Sequence, residues 1–199
     1  MNDLNNKIRL LAFAGSLRKD SFNKKLVKLV AKGARDAGAE VTYVDLKDLP
    51  LPVYDGDLEA AEGLPANALK LKELMMNHDG FLISAPEYNS SISAALKNAI
   101  DWASRPLPGE GMLACFKGKV AGIMSASPGA LGGLRCLSHV RDILENIYVM
   151  VIPEQTAVAK AHEAFDADGQ LLDKKQQQSI EQIGAKTVQL AKALKAAKG

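Results

Sequence analysis

The chain has 199 residues, 47% of them apolar and 24% charged, which is enough for one domain with a sizeable core. Its formal net charge of +2, with basic residues dispersed outside the terminal helix, argues against a dedicated nucleic-acid binder, which needs a basic stripe. Two cysteines, Cys115 and Cys136, make neither a disulfide framework nor a zinc site, and no apolar run approaches the ~20 residues that span a bilayer. The expectation is a soluble, cytoplasmic protein with reduced thiols, no metal, no membrane partner and no nucleic acid.

The first predicted element is a strand over Lys7 to Ala14, apolar nearly throughout. A polar loop follows from Gly15, and a helix over Asn23 to Ala37 has Leu26, Val27, Val30 and Ala34 at helical spacing. Gly38 ends it and Glu40 to Asp45 is a second strand. The run Leu49 to Asp57 reads as a loop stiffened by Pro50 and Pro52. Pro65 to Asn77 reads as a helix and Phe81 to Ala85 as a third buried strand. Pro86 to Ser91 is a polar loop, and Ile92 to Ser104 a helix rich in small residues. After a Pro- and Gly-containing connection come a strand over Lys119 to Ser125, a polar loop over Ala126 to Gly133, a helix over Leu134 to Asn146 and a strand over Tyr148 to Ile152. The stretch Pro153 to Gln170 holds a turn at Asp166 to Gly169, and a helix over Lys174 to Ala197 closes the chain.

Strands alternating with helices predict an α/β domain spanning residues 1–199, a doubly wound five-stranded parallel sheet with helices on both faces. In such sheets ligands lie at the carboxyl ends of the strands. The loops at 15–23, 86–91 and 126–133 each follow a strand, so they fall on one edge of the sheet.

The first loop has the chemistry of an anion site. Ser16, Arg18, Ser21 and Asn23 lead into a helix N-terminus, whose unpaired N–H groups carry partial positive charge. Lys24 and Lys25, rather than acids, occupy the first turn, which suits an anion held there. Neither a Walker loop nor a G-x-G-x-x-G dinucleotide fingerprint is present, since Gly15 has no second glycine at either spacing. A monophosphate held by hydroxyls and amides fits better; FMN meets that description, as would other phosphates. Pro86, Glu87, Tyr88 and Asn89 offer a rigid corner and an aromatic wall for a ring, with Ser127 and Gly129 opposite.

Taken jointly, Gly15-Ser16-Leu17-Arg18-Lys19-Asp20-Ser21-Phe22-Asn23, Pro86-Glu87-Tyr88-Asn89 with Ala95 to Trp102, and Ser127-x-Gly129 with Gly132-Gly133 resemble the signatures of the NADPH-dependent FMN reductase family. Within it, the sequence is most similar to bacterial chromate and quinone reductases and related azoreductases. The resemblance implies a flavodoxin-like fold, non-covalent FMN, NAD(P)H as donor and a homodimer or homotetramer. It implies hydride transfer through FMN to quinones or similar acceptors, with chromate, azo compounds and free flavin also within reach. No catalytic side chain is assigned, because the flavin carries the chemistry. By the same resemblance Ser16, Arg18, Ser21 and Asn23 hold the phosphate, and Leu17 and Phe22 pack in that loop. Pro86, Glu87, Tyr88 and Asn89 border the ribityl chain and ring, and Ser127 meets the ring edge, with Gly129 beside it. Arg135 corresponds to an arginine of an inter-subunit network, although Ser138 stands where a tyrosine is frequent. Small residues and Trp102 on the 92–104 helix, taken with the resemblance, predict a subunit interface there, and His139 is expected to be structural.

Two other readings are open to the sequence. A flavodoxin-like electron carrier is disfavoured by the absence of acidic excess. A hydrolase with Ser16 as nucleophile would need one of His78, His139 or His162 in a triad, and none has a telling local motif.

Overall fold

The computed structural model describes residues 7–198. Five parallel strands form its sheet: β1 (Arg9–Ala14), β2 (Glu40–Asp45), β3 (Gly80–Ser84), β6 (Val120–Ala126) and β7 (Met150–Val158), in the order β2-β1-β3-β6-β7. Counting these strands alone, that is the flavodoxin-like order, with its reversal between β1 and β3. The helices are α1 (Phe22–Asp36), α2 (Gly56–Glu62), α3 (Ala66–Met76), α4 (Ala94–Ala103), α5 (Leu134–Asn146), α6 (Ala161–Ala164) and α7 (Lys174–Lys198).

Side-chain alternation along β1 divides the core in two. Leu10, Ala12 and Ala14 face one layer with residues of α1 and α7, whereas Leu11 and Phe13 face the other with residues of α3, α4 and α5. Both faces of the central strands are therefore dry, which is why those strands are continuously apolar in sequence. The α1–α7 crossing is close because both helices present glycine. A Cβ on Gly33 would overlap the backbone of Glu181, and one on Gly184 would overlap the carbonyl of Val30.

Several boundaries and elements differ from the sequence expectation. Helix α2 lies partly in the predicted loop; Asp55 caps it, accepting from the Asp57 N–H at 2.8 Å. None of its residues is buried, so it carries no apolar stripe for periodicity to detect. The 86–91 loop contains a two-stranded hairpin, β4 (Glu87–Tyr88) and β5 (Ser91–Ile92). Its turn residues Asn89 and Ser90 have φ of 51° and 66°, the left-handed pair of a type I′ turn. Helix α4 then begins at Ala94, with Ser93 accepting the Leu96 N–H at 3.2 Å.

The last strand runs to Val158 rather than ending at Ile152. Pro153 lies where the register with β6 slips, between Ala121↔Val151 and Ile123↔Gln155. An edge strand with a bulge tolerates the missing N–H, so the proline did not mark a strand end. The predicted interface role for Trp102 is also revised. Its indole N–H donates to the Pro52 carbonyl at 2.8 Å and its ring meets Tyr54 edge-on at 5.0 Å. Asn98 holds the same loop through Pro52 and Tyr54. The 50–54 segment of the same chain covers this part of α4. Among the described residues no helix is long and apolar enough to cross a membrane.

Candidate functional site

The three loops meet at the carboxyl edge of β1, β3 and β6. One cavity is lined by Ser16, Arg18, Ser21, Phe22 and Asn23 from the first loop, Pro86, Glu87 and Tyr88 from the second, and Ser127 from the third. Asp20, Ala126 and Pro128 also line it, none of which sequence chemistry singled out. Ala126 contributes as the last residue of β6, a placement no side-chain property signals.

Three expected site residues do not line that cavity. Leu17 lines a separate apolar notch with Leu46, Leu49 and Leu51. Asn89 sits at the exposed hairpin turn. Gly129 is exposed in the third loop, where its N–H donates to the Ser127 hydroxyl at 3.2 Å.

The first loop is fixed from several sides. The Gly15 N–H donates to the Ser84 carbonyl at 2.9 Å, and the Ser93 hydroxyl donates to the Gly15 carbonyl. A Cβ on Gly15 would approach Leu96 and Pro86 within 3.2 Å or less, so the close passage there requires glycine. Ser21 caps α1, its oxygen accepting the Lys24 N–H at 3.4 Å. That uses a lone pair and leaves the hydroxyl hydrogen to donate into the cavity. Ser16 likewise accepts the Arg18 N–H at 3.4 Å and can donate onward. The N–H groups of Phe22 and Asn23, in the first turn of α1, have no acceptor within the helix.

Asn23 behaves differently from a ligand-facing amide. Its Nδ2 donates to the Ala126 carbonyl at 2.8 Å, and its Oδ1 accepts from the Ala126 N–H at 3.0 Å and the Ser84 hydroxyl at 2.8 Å. The side chain is buried and ties α1 to the ends of β3 and β6. Lys24 and Lys25 are not free for an anion in the way their position implied. Lys24 pairs with Asp45 at 2.5 Å, and the Lys25 ammonium lies 6.0 Å from the Phe165 ring centroid. Phe22 stacks on that same ring.

The second loop is anchored to α5. Glu87 accepts from the Nε of Arg135 at 2.8 Å, from its other guanidinium nitrogen, and from the Arg135 N–H at 3.0 Å. Burial would raise the Glu87 pKa, but the guanidinium and the Cys136 N–H outweigh it and hold the carboxyl below its usual range. Within its own chain Arg135 pairs with Glu87. His139 reaches the same hairpin, with Nδ1 2.9 Å from the Ser91 hydroxyl. Beneath, Cys136 is buried, and that burial pushes its thiol up to about 11. Such a thiol stays protonated and is no nucleophile. His78 is spent on the Leu74 carbonyl and the Thr42 hydroxyl, far from Ser16 in the fold's other end, so no Ser–His pair forms there.

The donor set suits a phosphate ester: two serine hydroxyls, an exposed guanidinium and helix N–H groups, with no acid in the first turn of α1. The cavity encloses about 70 Å³. A cleft of that size at the sheet edge accommodates a phosphate group. Ser16, Arg18, Ser21 and the first N–H groups of α1 would hold the phosphate of FMN, and Tyr88 and Ser127 would border the rest of the molecule. The residues present therefore fit FMN.

The chain is similar to several known proteins. The family model of NADPH-dependent FMN reductases matches residues 8–163. The chain is 36% identical over 182 residues to an NAD(P)H-dependent FMN reductase of Pseudomonas aeruginosa, covering 90% of this chain and 92% of that one. It is 40% identical over 150 residues to a quinone reductase of Escherichia coli K12, covering 75% and 76%. Among solved structures, the flavoenzyme NAD(P)H:(acceptor) oxidoreductase FerB of Paracoccus denitrificans superposes with a TM-score of 0.76 at 31% identity, over 94% of this chain and 98% of that one.

Proposed function

The chain belongs to the NADPH-dependent FMN reductase family and is an FMN-dependent NAD(P)H oxidoreductase, and we propose that its acceptors are quinones and similar flat electron acceptors. The observation that carries this reading is the meeting of the Ser16, Arg18 and Ser21 donors and the α1 N-terminus with the Tyr88 ring at one sheet edge. Bound FMN supplies the two-electron chemistry between nucleotide and acceptor. The protein's part is placement. Ser16, Arg18 and Ser21, with the N–H groups of Phe22 and Asn23, hold the phosphate; Pro86, Glu87, Tyr88 and Ser127 border the ribityl chain and ring.

An open ring face favours broad acceptance, so chromate, azo compounds and free flavin are secondary acceptors in this reading. Leu17, Tyr88, Leu131 and Leu134 are about half exposed, and all four lie in or directly after the three loops. Exposed apolar groups at a site edge support a homodimer or homotetramer that covers them. Two buried free thiols support a cytoplasmic location.

The test is to purify the protein, record its visible spectrum, and add NADPH or NADH anaerobically, then a quinone. Bleaching of bound FMN by nucleotide and its return with quinone is the expected result. A protein that never takes up FMN refutes the site; one whose FMN does not bleach is an electron carrier instead. Ser16→Ala should weaken FMN binding, and a light-scattering mass of one chain would contradict the oligomer.

A further inference from the structure

Helix α5 lacks a capping side chain of its own. Its N-cap position is Gly133, at φ 91°, and no side chain there accepts its first N–H groups. The Glu87 carboxylate takes that place from a hairpin far earlier in the chain, accepting from the Arg135 N–H at 3.0 Å and the Cys136 N–H at 3.3 Å. Its second oxygen is taken by the Arg135 guanidinium. One turn along the same face, His139 holds Ser91 on the other strand. Both strands of the hairpin are thus pinned to α5.

Glu87 is unusual in what it brings to the pocket wall. It is a wall residue whose side chain is 8% exposed, so its carboxylate, held against the start of α5, is largely dry. A flavin gains electrons on reduction, and a bare buried carboxylate at its edge would oppose that gain. Arg135 neutralises it from the outside, with its own side chain 57% exposed.

The geometry points to Arg135 as a positioning residue that acts through Glu87: it fixes the hairpin wall and balances its charge, so that reduced FMN is not penalised relative to oxidised FMN. This rests on the FMN site proposed above.

The experiment compares wild type with Arg135→Gln, Glu87→Gln, the double variant and Arg135→Lys, after checking each by circular dichroism. For each, the affinity for oxidised FMN is read from quenching of flavin fluorescence. The midpoint potential of bound FMN against free FMN then gives the affinity for the reduced form. Arg135→Gln should lower the reduced-to-oxidised affinity ratio about tenfold, which is about 30 mV for a two-electron couple. Glu87→Gln should raise the ratio, the double variant should return it near wild type, and Arg135→Lys should keep it near wild type while weakening overall binding. A ratio unchanged in both single variants, or moved the same way in both, overturns the inference. If Glu87→Gln does not fold, Arg135→Gln against Arg135→Lys decides alone. A wild-type protein that takes up no FMN refutes the site reading itself, whereas a wild type that binds FMN with an unmoved ratio in the variants refutes only this inference.

Discussion

Replacing Asn23 by Ala separates a structural amide from a ligand-binding one. Three hydrogen bonds are lost, to the Ala126 carbonyl, the Ala126 N–H and the Ser84 hydroxyl. At a net ~0.5–1.5 kcal/mol each, with the neighbouring cavity letting water reach part of the exposed groups, the loss is about 2–4 kcal/mol. Alanine itself is well suited to the first turn of a helix, so little is lost there. For a chain of this size ~1 kcal/mol moves Tm by ~2–4 °C, so Tm of the FMN-free protein should fall by about 4–16 °C. Thermal unfolding without FMN is the assay, with FMN affinity measured in parallel. Affinity should fall too, because α1 and the β6 end lose their registry, but the destabilisation must be present without ligand. An Asn23→Ala protein as stable as wild type without FMN, yet poor at binding it, would refute the reasoning and return Asn23 to the phosphate.

Other outcomes follow from the same structure. Gly184→Ala should destabilise by about 1–3 kcal/mol, because overpacking against Val30 and Ala34 outweighs the better helix propensity; a raised Tm would contradict the close crossing. Trp102→Phe loses the bond to the Pro52 carbonyl and should cost at least about 0.5–1.5 kcal/mol, read as a lowered urea midpoint, while an unchanged midpoint would mean the 50–54 segment is held by other contacts. His78 has a lowered pKa, chiefly because burial disfavours its charged form. Its folded pKa lies below the unfolded value of ~6.5, so its contribution is complete above that pH and is lost as pH falls through the folded value. Urea midpoints of the wild type should therefore drop between pH 7.5 and 5.5, and His78→Gln should flatten that slope; an equally steep slope in the variant would place the titration elsewhere.

Much of the candidate site was legible in the sequence because strand–loop–helix order is written in local periodicity. An apolar run followed by polar residues marks a strand's carboxyl end, and in a parallel sheet all such ends share one edge. That alone brought Ser16, Arg18, Ser21, Pro86, Glu87, Tyr88 and Ser127 together. The absence of second glycines after Gly15 likewise ruled out pyrophosphate loops with no structure in hand. What local pattern does not carry is which polar group answers which across a long separation. Asn23 is committed to Ala126 and Ser84, Lys24 to Asp45, and Arg135 to Glu87, and each of these residues has equally plausible uses when read alone. Trp102 reads in sequence as part of a subunit interface, whereas the 50–54 segment of its own chain covers it. The exposed α2 and the bulged end of β7 escaped for a related reason: neither has the repeating burial that periodicity measures. Sequence by itself determined the layered fold, the edge at which the candidate site lies and the kind of anion its residues suit. Only the tertiary structure decided which side chains remain free to meet the ligand, because a hydrogen-bond donor is available only after every nearer acceptor has been counted.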